Sequence, residues 1–249
     1  MDRKLRSKIK TILDLTPFSP KHIGDYVRQG CFWKCVSTLS IGRCATILDA
    51  GCGDGHYAVK IAKKLPHARV TALDLRPAIN ENRCPANISF ICDDLLLLNT
   101  TDVYDFIYSI DVLEHIPSNF IVIQNFFRAL KSGGYLYIHM PNKADGRYIF
   151  SRKFFQTFRD WEEEEHIGER YTLDELKDMV KGYGFEVIKT QHTFGIVGRF
   201  AWELDRITDG KPVSKICIMP LLKLLGLVAI HLRPARGDLL LLARKPISR

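Results

Sequence analysis

The segment TILDAGCGDGHYAVKIAKKL, residues 46 to 65, decides the fold because a strand, a glycine turn and a helix follow one another in it. TILDA is a short apolar run typical of a buried strand, whereas HYAVKIAKKL repeats its apolar residues at helical spacing. Gly51, Gly53 and Gly55 lie between the two. Three glycines in five positions indicate that the backbone approaches a ligand closely, and the strand–turn–helix context is the one that a nucleotide loop needs.

The spacing of these glycines separates several kinds of nucleotide loop. No Lys-Ser or Lys-Thr pair follows, which argues against a phosphate-cradling loop of the Walker type. The third glycine comes one residue earlier than in the G-x-G-x-x-G pattern of dinucleotide-binding folds. The loop therefore favours a compact ligand without phosphates.

Strands and helices alternate along the rest of the chain. Strands are predicted at RVTALDL, NISFICD, YDFIYSID and YLYIHMP, with a short helix at PAINENR and a longer one at SNFIVIQNFFRALKSGG that ends at its glycines. TLDELKDMVKGYG predicts a helix with a threonine N-cap, FEVIKTQHT a strand and DLLLLARKP the last strand. This alternation predicts an α/β fold, a doubly wound, mostly parallel sheet with helices on both faces.

Some segments do not fit the alternation. Residues 1–45 predict an N-terminal helical cap, with a basic amphipathic helix first and a second helix at about 22–40. Residues 46–249 form the predicted main domain, interrupted by helical insertions at 143–170 and 193–236. The first insertion is rich in aromatic rings, most of which we expect to pack within it. These rings are Phe150, Phe154, Phe155, Phe158 and Trp161.

Acidic residues stand at the ends of the predicted strands. Asp49 precedes the first glycine by two residues, Asp74 ends the second strand, Asp93 and Asp94 end the third, and Asp111 ends the fourth. Because parallel strands open on one edge, these acids are expected to surround one ligand. A carboxylate at Asp74 can accept hydrogen bonds from both ribose hydroxyls. One such acid would merely cap a loop, but four strand ends in register with the glycine loop predict a binding site.

Together the motifs resemble those of class I S-adenosylmethionine-dependent methyltransferases of the type 11 kind, close to the ubiquinone-biosynthesis O-methyltransferases. ILDAGCGDG, ALDL, FICDD, DFIYSIDVLEHI and LKSGGYLYIHMPN occur in the order of that family. The resemblance covers residues 46 to 192 and the last strand. It implies a Rossmann-like sheet of seven strands with an antiparallel last strand, insertions that form an acceptor lid, and S-adenosyl-L-methionine as co-substrate.

The resemblance also implies roles for individual residues. The glycine loop would hold the methionine part of the donor, Asp74 its ribose and Asp93 or Asp94 its adenine, while Asp111 would flank the methyl group. The predicted donor-binding residues are Asp49, Ala50, Gly51, Gly53, Gly55, Asp74, Leu75, Asp93, Asp94 and Asp111. Because the sulfonium already activates the methyl group, the protein mainly has to position a nucleophile in line with it.

Three residues are candidates for taking the acceptor's proton. Glu114 and His115 follow the fourth strand, and His166 precedes a helix in a loop expected over the site. An imidazole with a pKa near about 6.5 is a suitable base. His115 has the alternative of capping the next helix or shaping the donor pocket. His139 lies within a strand, where we expect it to be buried or to face the acceptor.

The same segment raises the question of a metal. D-x-x-E-H at 111–115 also resembles the acidic motif of the ubiquinone-biosynthesis enzymes, for which a divalent metal is implied. Metal-free relatives carry similar residues there. We therefore assign no metal ligand and expect activity without a metal.

The net charge of +8 is compatible with nucleic acid, an anionic membrane, an anionic substrate or plain solubility. No Asn/Asp-Pro-Pro-Tyr motif follows the fourth strand and no RNA-binding module is visible, which argues against a nucleic-acid partner. The prediction is O-methylation of a small or lipophilic acceptor, such as a quinol, phenol, lipid or lipid-linked sugar. The alternatives are an RNA methyltransferase and a non-catalytic S-adenosylmethionine-binding scaffold.

The longest apolar run is ICIMPLLKLLGLVAIHL, residues 216–232. Pro220 and Lys223 interrupt it, so we predict no transmembrane span. With the basic N-terminus and its own flanking Lys and Arg residues, the run either lies on an anionic membrane surface or packs on the domain as a helix pair. Seven cysteines, several of them in predicted core segments, favour reduced thiols and a cytoplasmic protein with peripheral membrane contact as an option.

Overall fold

The computed structural model describes residues 22–76, 84–144 and 148–247. The basic amphipathic helix predicted near the N-terminus and the short helix predicted at 77–83 lie outside the described residues. All other predicted elements fall within them.

The chain divides into two compact units. Of the described residues, the sheet unit comprises 39–76, 84–144, 161–191 and 238–247. Of the described residues, the helical unit comprises 22–38, 148–160 and 192–237. Each is described separately below.

Seven strands form one sheet in the order β3-β2-β1-β4-β5-β7-β6. Strands β1 to β5 pair in parallel, whereas β7 runs antiparallel to β5. This topology confirms the predicted doubly wound, mostly parallel sheet with an antiparallel last strand. The strands are β1 Thr46–Ala50, β2 Arg69–Asp74, β3 Ile88–Cys92, β4 Tyr104–Ile110, β5 Leu130–Met140, β6 Glu186–Thr193 and β7 Asp238–Arg244.

Seven helices are found among the described residues, besides short 3-10 turns. They are α1 Ile23–Val36, α2 His56–Lys64, α3 Asn119–Ala129, α4 Gln156–Glu165, α5 Leu173–Gly182, α6 Gly195–Ile207 and α7 Pro212–His231. In α5 the predicted N-cap is present as a full capping box, in which Thr172 and Glu175 satisfy each other's backbone amides. The predicted second helix of the N-terminal cap is α1.

The core of the sheet unit forms where apolar strands are covered by apolar helix faces. Leu48 on β1, Ile107 on β4, Phe126 on α3 and Leu241 on β7 are all fully buried in one cluster. The central strands are apolar on both faces, as expected of strands covered on both sides. This core fixes the strand ends at which the candidate site lies.

One predicted boundary is wrong. The helix expected to continue to the glycines of LKSGG ends at Ala129, and β5 begins at Leu130. Leu130 is fully buried and pairs with Tyr104, while the Gly133 amide donates to the Lys245 carbonyl at 2.9 Å. The backbone of this segment therefore finds its partners in neighbouring strands, and Gly133 with φ +78° belongs to the strand rather than to a helix end.

The helical unit contains α1, α6 and α7, and the insertion 193–236 accordingly forms a helix pair. Ile23, Ala201 and Leu222 are fully buried at its centre. A Cβ added to Gly30 on α1 would lie 2.1 Å from the Ile230 side chain on α7, so the glycine permits close contact of the two helices. Cys31 and Cys35 lie on the buried side of α1, and all seven cysteines are free thiols.

A buried carboxylate ties the helices of this unit together. Asp205, 1% exposed, accepts a hydrogen bond from the Ile23 amide at 2.9 Å and lies 3.0 Å from the Lys215 ammonium. Burial alone would raise the pKa of Asp205, but hydrogen bonds from His22 and Ile23 and the charge of Lys215 outweigh it and lower the pKa. The carboxylate thus caps the start of α1 from α6.

The aromatic rings of the first insertion mostly pack, as expected. Phe155 is 2% exposed and stacks on Tyr148 at 4.9 Å, and Phe158 meets Trp202 at 5.0 Å. Phe150 stacks on Phe200 at 5.7 Å. Two rings of the insertion differ, because Phe154 and Trp161 are exposed.

Among the described residues one helix segment, Val213–His231, is long and apolar enough to cross a membrane. This criterion concerns length and composition only, and a core helix of a soluble protein also meets it. The segment is most of α7.

Candidate functional site

The glycine loop forms a tight turn at the end of β1. The amides of Gly51 and Cys52 donate to the Leu73 carbonyl at 2.8 and 3.0 Å, and the Gly55 amide donates to the Cys52 carbonyl at 2.8 Å. Gly51, Gly53 and Gly55 all have positive φ, at 85°, 51° and 71°. Such a run of left-handed conformations is the reason that glycines occupy these positions.

Gly51 and Gly53 are required for different reasons. A Cβ on Gly51 would lie 2.3 Å from the Val112 side chain, so packing excludes any larger residue. A Cβ on Gly53 would meet no atom within 4 Å, so only its backbone conformation requires glycine. The backbone of Gly53 is therefore accessible on the surface of the loop, with no side chain covering it.

Asp74 at the end of β2 holds this loop. One carboxylate oxygen accepts from the Gly53 amide at 2.8 Å and the other from the Arg76 amide at 2.9 Å. A carboxylate offers about four lone-pair directions, so both oxygens keep capacity for hydroxyl donors. Leu75 beside it is 59% exposed and offers an apolar surface at the same strand end.

The two acids after β3 differ in their surroundings. Asp94 accepts from the Leu96 amide at 2.9 Å and caps a 3-10 turn. The Asp93 carboxylate is exposed and accepts only a local hydrogen bond, from the Asp94 amide at 2.8 Å, among the bonds found for it. Asp93 is accordingly better placed than Asp94 to meet a ligand.

In the glycine loop, the carboxyl group of Asp49 has a strongly shifted pKa. It is 4% exposed, and burial raises its pKa to about 7, although hydrogen bonds from Tyr108 and from the Ala58 amide oppose the rise. The nearby carboxylate of Asp74 raises the pKa further. Burial and the same acids raise the pKa of the Cys52 thiol to about 12, so this thiol is neutral. The neighbouring Ala50 is fully buried and only its backbone can meet a ligand.

Tyr108 is a residue that the sequence analysis missed. It is fully buried on β4, directly opposite Asp49 in the parallel ladder. Burial and the charge of Asp49 raise its pKa well above the usual range, so it stays a hydrogen-bond donor. The tyrosine is visible in YDFIYSID, but its pairing with Asp49 depends on strand register, which the sequence does not specify.

Asp111 follows β4 in a left-handed conformation, with φ +52°. Its carboxylate lies 2.6 Å from His139 Nδ1, and its amide donates to the His139 carbonyl at 2.9 Å. His139 on β5 is 1% exposed, as expected. The imidazole therefore fixes the orientation of the Asp111 carboxylate.

The three candidate bases lie together in the sheet unit. The rings of His115 and His166 are edge to face at 4.9 Å, and Trp161 lies 6.2 and 5.9 Å from them. Glu114 is 1% exposed and has a ligand atom within 4.8 Å of both imidazoles. The sequence predicted each residue singly, and the fold brings them into one cluster.

A short loop positions His166 over the turn that carries His115. The Gly168 amide donates to the Glu114 carbonyl at 2.8 Å, and the Asn119 side chain donates to the Glu169 carbonyl at 2.8 Å. The Tyr171 hydroxyl donates to the Asn119 side chain at 2.6 Å. Asn119, fully buried, was missed as a positioning residue because its partners are about fifty positions away in the chain.

The two imidazoles are chemically different. His115 Nδ1 lies 2.9 Å from the Glu165 carbonyl. Since a carbonyl only accepts, Nδ1 carries the hydrogen and Nε2 keeps the lone pair in the neutral ring. Burial, together with the charges of His115 and Arg170, lowers the pKa of His166 to about 4, so His166 is neutral at physiological pH.

The cluster also has the composition of a metal site. Glu114, His115 and His166 each offer one ligand atom, all within 4.8 Å of one another. His166 Nδ1 is buried and has no hydrogen-bond partner among the described atoms. One carboxylate and two imidazoles fit a divalent transition metal, so the residues present are compatible with such an ion.

The chain belongs to a methyltransferase family. The family model described as "Methyltransferase domain" matches residues 1–190, which include the glycine loop, the acidic strand ends and the histidine cluster. The fold thus agrees with the family.

Similarity to individual proteins is more distant. The chain is 28% identical to trans-aconitate 2-methyltransferase of Enterobacter sp. (strain 638) over 112 residues, 44% of either chain. It is 28% identical over 112 residues to the ubiquinone biosynthesis O-methyltransferase of Coxiella burnetii (strain Dugway 5J108-111), covering 42% of this chain and 47% of that protein. The chain therefore spans less than half the length of these curated relatives.

A solved structure shows the same fold over most of the chain. Haemonchus contortus phosphoethanolamine N-methyltransferase 2, in complex with S-adenosyl-L-methionine, superposes with a TM-score of 0.61 at 18% identity. The match covers 96% of this chain and 60% of that one.

Proposed function

We propose that the protein transfers the methyl group of S-adenosyl-L-methionine to an oxygen of a small or lipophilic acceptor. The acceptor classes are a quinol, a phenol, a lipid and a lipid-linked sugar, all of which offer a hydroxyl. The observation that carries the proposal is the glycine turn held by Asp74, in which the Gly53 amide and the carboxylate are 2.8 Å apart. Family membership supports the same chemistry.

In this proposal each strand end holds one part of the donor. The open backbone at Gly53 and the buried Asp49 receive the methionine part, Asp74 accepts from the ribose hydroxyls, and Asp93 faces the adenine. Leu75 covers the ribose and adenine with an apolar surface. These five residues lie at the carboxyl ends of β1, β2 and β3, which are neighbours in the sheet, and ligands of open α/β sheets bind at such ends.

The transfer itself moves one methyl group and one proton. The acceptor oxygen forms a bond to the methyl carbon as the carbon–sulfur bond breaks, and the sulfonium becomes a neutral thioether. The proton of the hydroxyl goes to His115 Nε2, because Nδ1 is engaged with the Glu165 carbonyl. Neutral His166 donates its N–H to the oxygen of the same hydroxyl and so orients it. Asp111, held by His139, flanks the methyl group.

Two observations support an oxygen on an apolar acceptor. Trp161, 45% exposed, lies beside both imidazoles and offers a ring surface to a planar or lipophilic acceptor. Of the two curated relatives named above, one is an O-methyltransferase of ubiquinone biosynthesis. The proposal places the protein in the cytoplasm.

We expect turnover without a metal ion, because the sulfonium makes the methyl group electrophilic unaided. Should a divalent ion bind, Glu114, His115 and His166 would hold it, and it would lower the pKa of an acceptor hydroxyl. Turnover measured after treatment with a chelator and after addition of Mg²⁺ or Zn²⁺ checks this prediction. Loss on chelation with recovery on metal addition would contradict it.

The proposal is tested by transfer of a radiolabelled methyl group to a panel of acceptors. The panel holds phenols, quinols, lipid-linked sugars, carboxylic acids, amines and RNA. Label is expected in the hydroxyl compounds only. Label in RNA or in amines alone, or in no acceptor although the donor binds, would overturn the proposed acceptor chemistry.

Three variants separate donor binding from proton transfer. His115→Ala is expected to lower turnover by about 10²-fold or more with donor affinity unchanged. Asp74→Ala is expected to weaken donor binding because the ribose contacts are lost. His166→Ala should lower turnover less than His115→Ala does. Unchanged turnover in both histidine variants would remove this cluster from the reaction.

A further inference from the structure

Helix α7 carries a continuous apolar stripe that faces solvent. At 100° per residue the exposed positions of the stripe fall within an arc of about 140° along the whole helix. Leu221, Leu224 and Val213 are 51%, 59% and 63% exposed. The stripe consists of Val213, Ile216, Cys217, Pro220, Leu221, Leu224, Leu227 and Val228.

The opposite side of the same helix is occupied. Leu222 is fully buried in the centre of the helical unit, and Ala229 and Ile230 are nearly so. A helix that is apolar all round is normally buried on all sides. In α7 only one side is buried, so the outer stripe has no counterpart among the described residues of its unit.

The charged residues within the segment that carries the stripe have one sign. From Lys211 to Arg236 the sequence contains no Asp or Glu. Lys211 before the helix and Arg233 and Arg236 after it are exposed. Asp209, which precedes Lys211 and is also exposed, is paired with Lys215 at 2.7 Å, so both ends of the stripe keep exposed positive charge. The surface that complements this pattern is apolar in its interior and negatively charged at its boundary.

We infer that α7 lies in the plane of an anionic lipid bilayer, with the stripe among the acyl chains and Lys211, Arg233 and Arg236 on the headgroups. Twenty residues give a helix about 30 Å long, enough for a stripe that immerses several side chains at once. The inference rests on the helix alone and not on methyl transfer.

Two other occupants fit less well. A second copy paired along α7 would bring positive ends together in either helix orientation, which is unfavourable. A membrane span would place Lys223 near the bilayer centre and would free the buried side of the helix from its unit. An in-plane position avoids both costs.

The test is flotation of the protein with vesicles. The vesicles consist of phosphatidylcholine alone or of phosphatidylcholine with phosphatidylglycerol. The protein is expected to float with the anionic vesicles, and less so as salt is added. The double variant Leu221→Glu/Leu224→Glu should lower the partition coefficient at least about tenfold.

Matched variants make the result specific. Ile188→Glu replaces an apolar residue of similar exposure, 51%, on β6 and should float like the unmodified protein. Arg233→Gln/Arg236→Gln should weaken binding to the anionic vesicles only. Far-ultraviolet circular dichroism checks that each variant is folded.

Four results would overturn the inference. The first is that the unmodified protein does not float, and the second is that the Leu221→Glu/Leu224→Glu variant floats as well as the unmodified protein. The third is that vesicle-bound protein resists extraction by alkaline carbonate. The fourth is that analytical ultracentrifugation shows a dimer of the unmodified protein but not of the Leu221→Glu/Leu224→Glu variant. Carbonate resistance would indicate a span, and the dimer a second copy. None of these results depends on enzymatic activity.

Discussion

The protonation of Asp49 depends strongly on its surroundings. Burial raises its pKa from the ordinary 3.8 to about 7, so near neutral pH it is divided between two forms. A cationic donor favours the ionised form. Donor affinity is therefore expected to rise several-fold between about pH 6 and about pH 8. At the higher pH a smaller fraction of the protein carries a protonated Asp49, which must lose its proton when the cationic donor binds.

Titration calorimetry at several pH values measures this dependence. Asp49→Asn should flatten it, whereas Asp178→Asn, on the exposed side of α5, should leave it intact. Stability should change in the opposite direction, since a raised carboxylate pKa lowers the free energy of unfolding as pH rises from about 4 to about 7. A steep dependence that survives Asp49→Asn would assign the titration to another group.

The glycines of the loop allow a graded prediction. Gly51→Ala adds a clash with Val112 to an unfavourable φ and should lower the free energy of unfolding by about 2–4 kcal/mol. Gly53→Ala meets no atom and should cost only about 1 kcal/mol. Gly42→Ala, with open space and no positive φ, serves as the control. Urea denaturation gives the three values, and equal losses at Gly51 and Gly53 would contradict the packing argument.

The candidate residues were predictable singly but not as contacts. A motif shows that Glu114, His115 and His166 have suitable chemistry. Their meeting depends on the loop bonded to Asn119, and the pKa of Asp49 depends on the strand register that brings Tyr108 opposite. Long-range hydrogen bonds and register are properties of the folded chain, so local sequence patterns do not reveal them.

Among the elements, α1 and α6 are joined by the buried Asp205. Asp205→Ala is expected to lower the free energy of unfolding by about 1.5–3 kcal/mol, because the Ile23 amide loses its charged acceptor and Lys215 keeps only its pair with Asp209. Asp25→Ala, which removes a partly exposed pair with Arg28 within the same helix, should cost less, about 1 kcal/mol.

The pH dependence of this contact has a definite sign. The lowered pKa of Asp205 means that its contribution is complete above the ordinary carboxylate pKa and is lost as pH falls through the folded-state value. The difference in free energy of unfolding between the unmodified protein and Asp205→Ala should therefore be constant near neutral pH and shrink in acid below about pH 4. Chemical denaturation at a series of pH values measures it, and a difference that grows in acid would contradict the assignment.

Element boundaries show what local patterns leave undetermined. The capping box of α5 was predictable because its partners are three residues apart. The end of α3 was not, since Leu130 and Gly133 find their partners on β4 and beyond β7. Local sequence rules predicted that the helix ends at the glycines, but strand pairing with distant residues ends it earlier, at Ala129.

At the scale of the whole molecule the alternation of elements determined the architecture. A parallel sheet needs crossover helices, so the succession of apolar runs and amphipathic helices left few other topologies. The antiparallel position of β7 came from family resemblance, because spacing does not distinguish it. The sequence could not predict the exposed stripe of α7, because an apolar helix has the same sequence pattern whether its outer side is buried or exposed.

The central claim is that the glycine loop and Asp74 bind S-adenosyl-L-methionine. Calorimetric titration of the purified protein with S-adenosyl-L-methionine and S-adenosylhomocysteine, and with a nicotinamide dinucleotide as control, tests it directly. We predict saturable binding of the first two compounds, no binding of the dinucleotide, and weaker binding of S-adenosyl-L-methionine to Asp74→Ala. Preference for the dinucleotide, or affinity unchanged in Asp74→Ala, would contradict it.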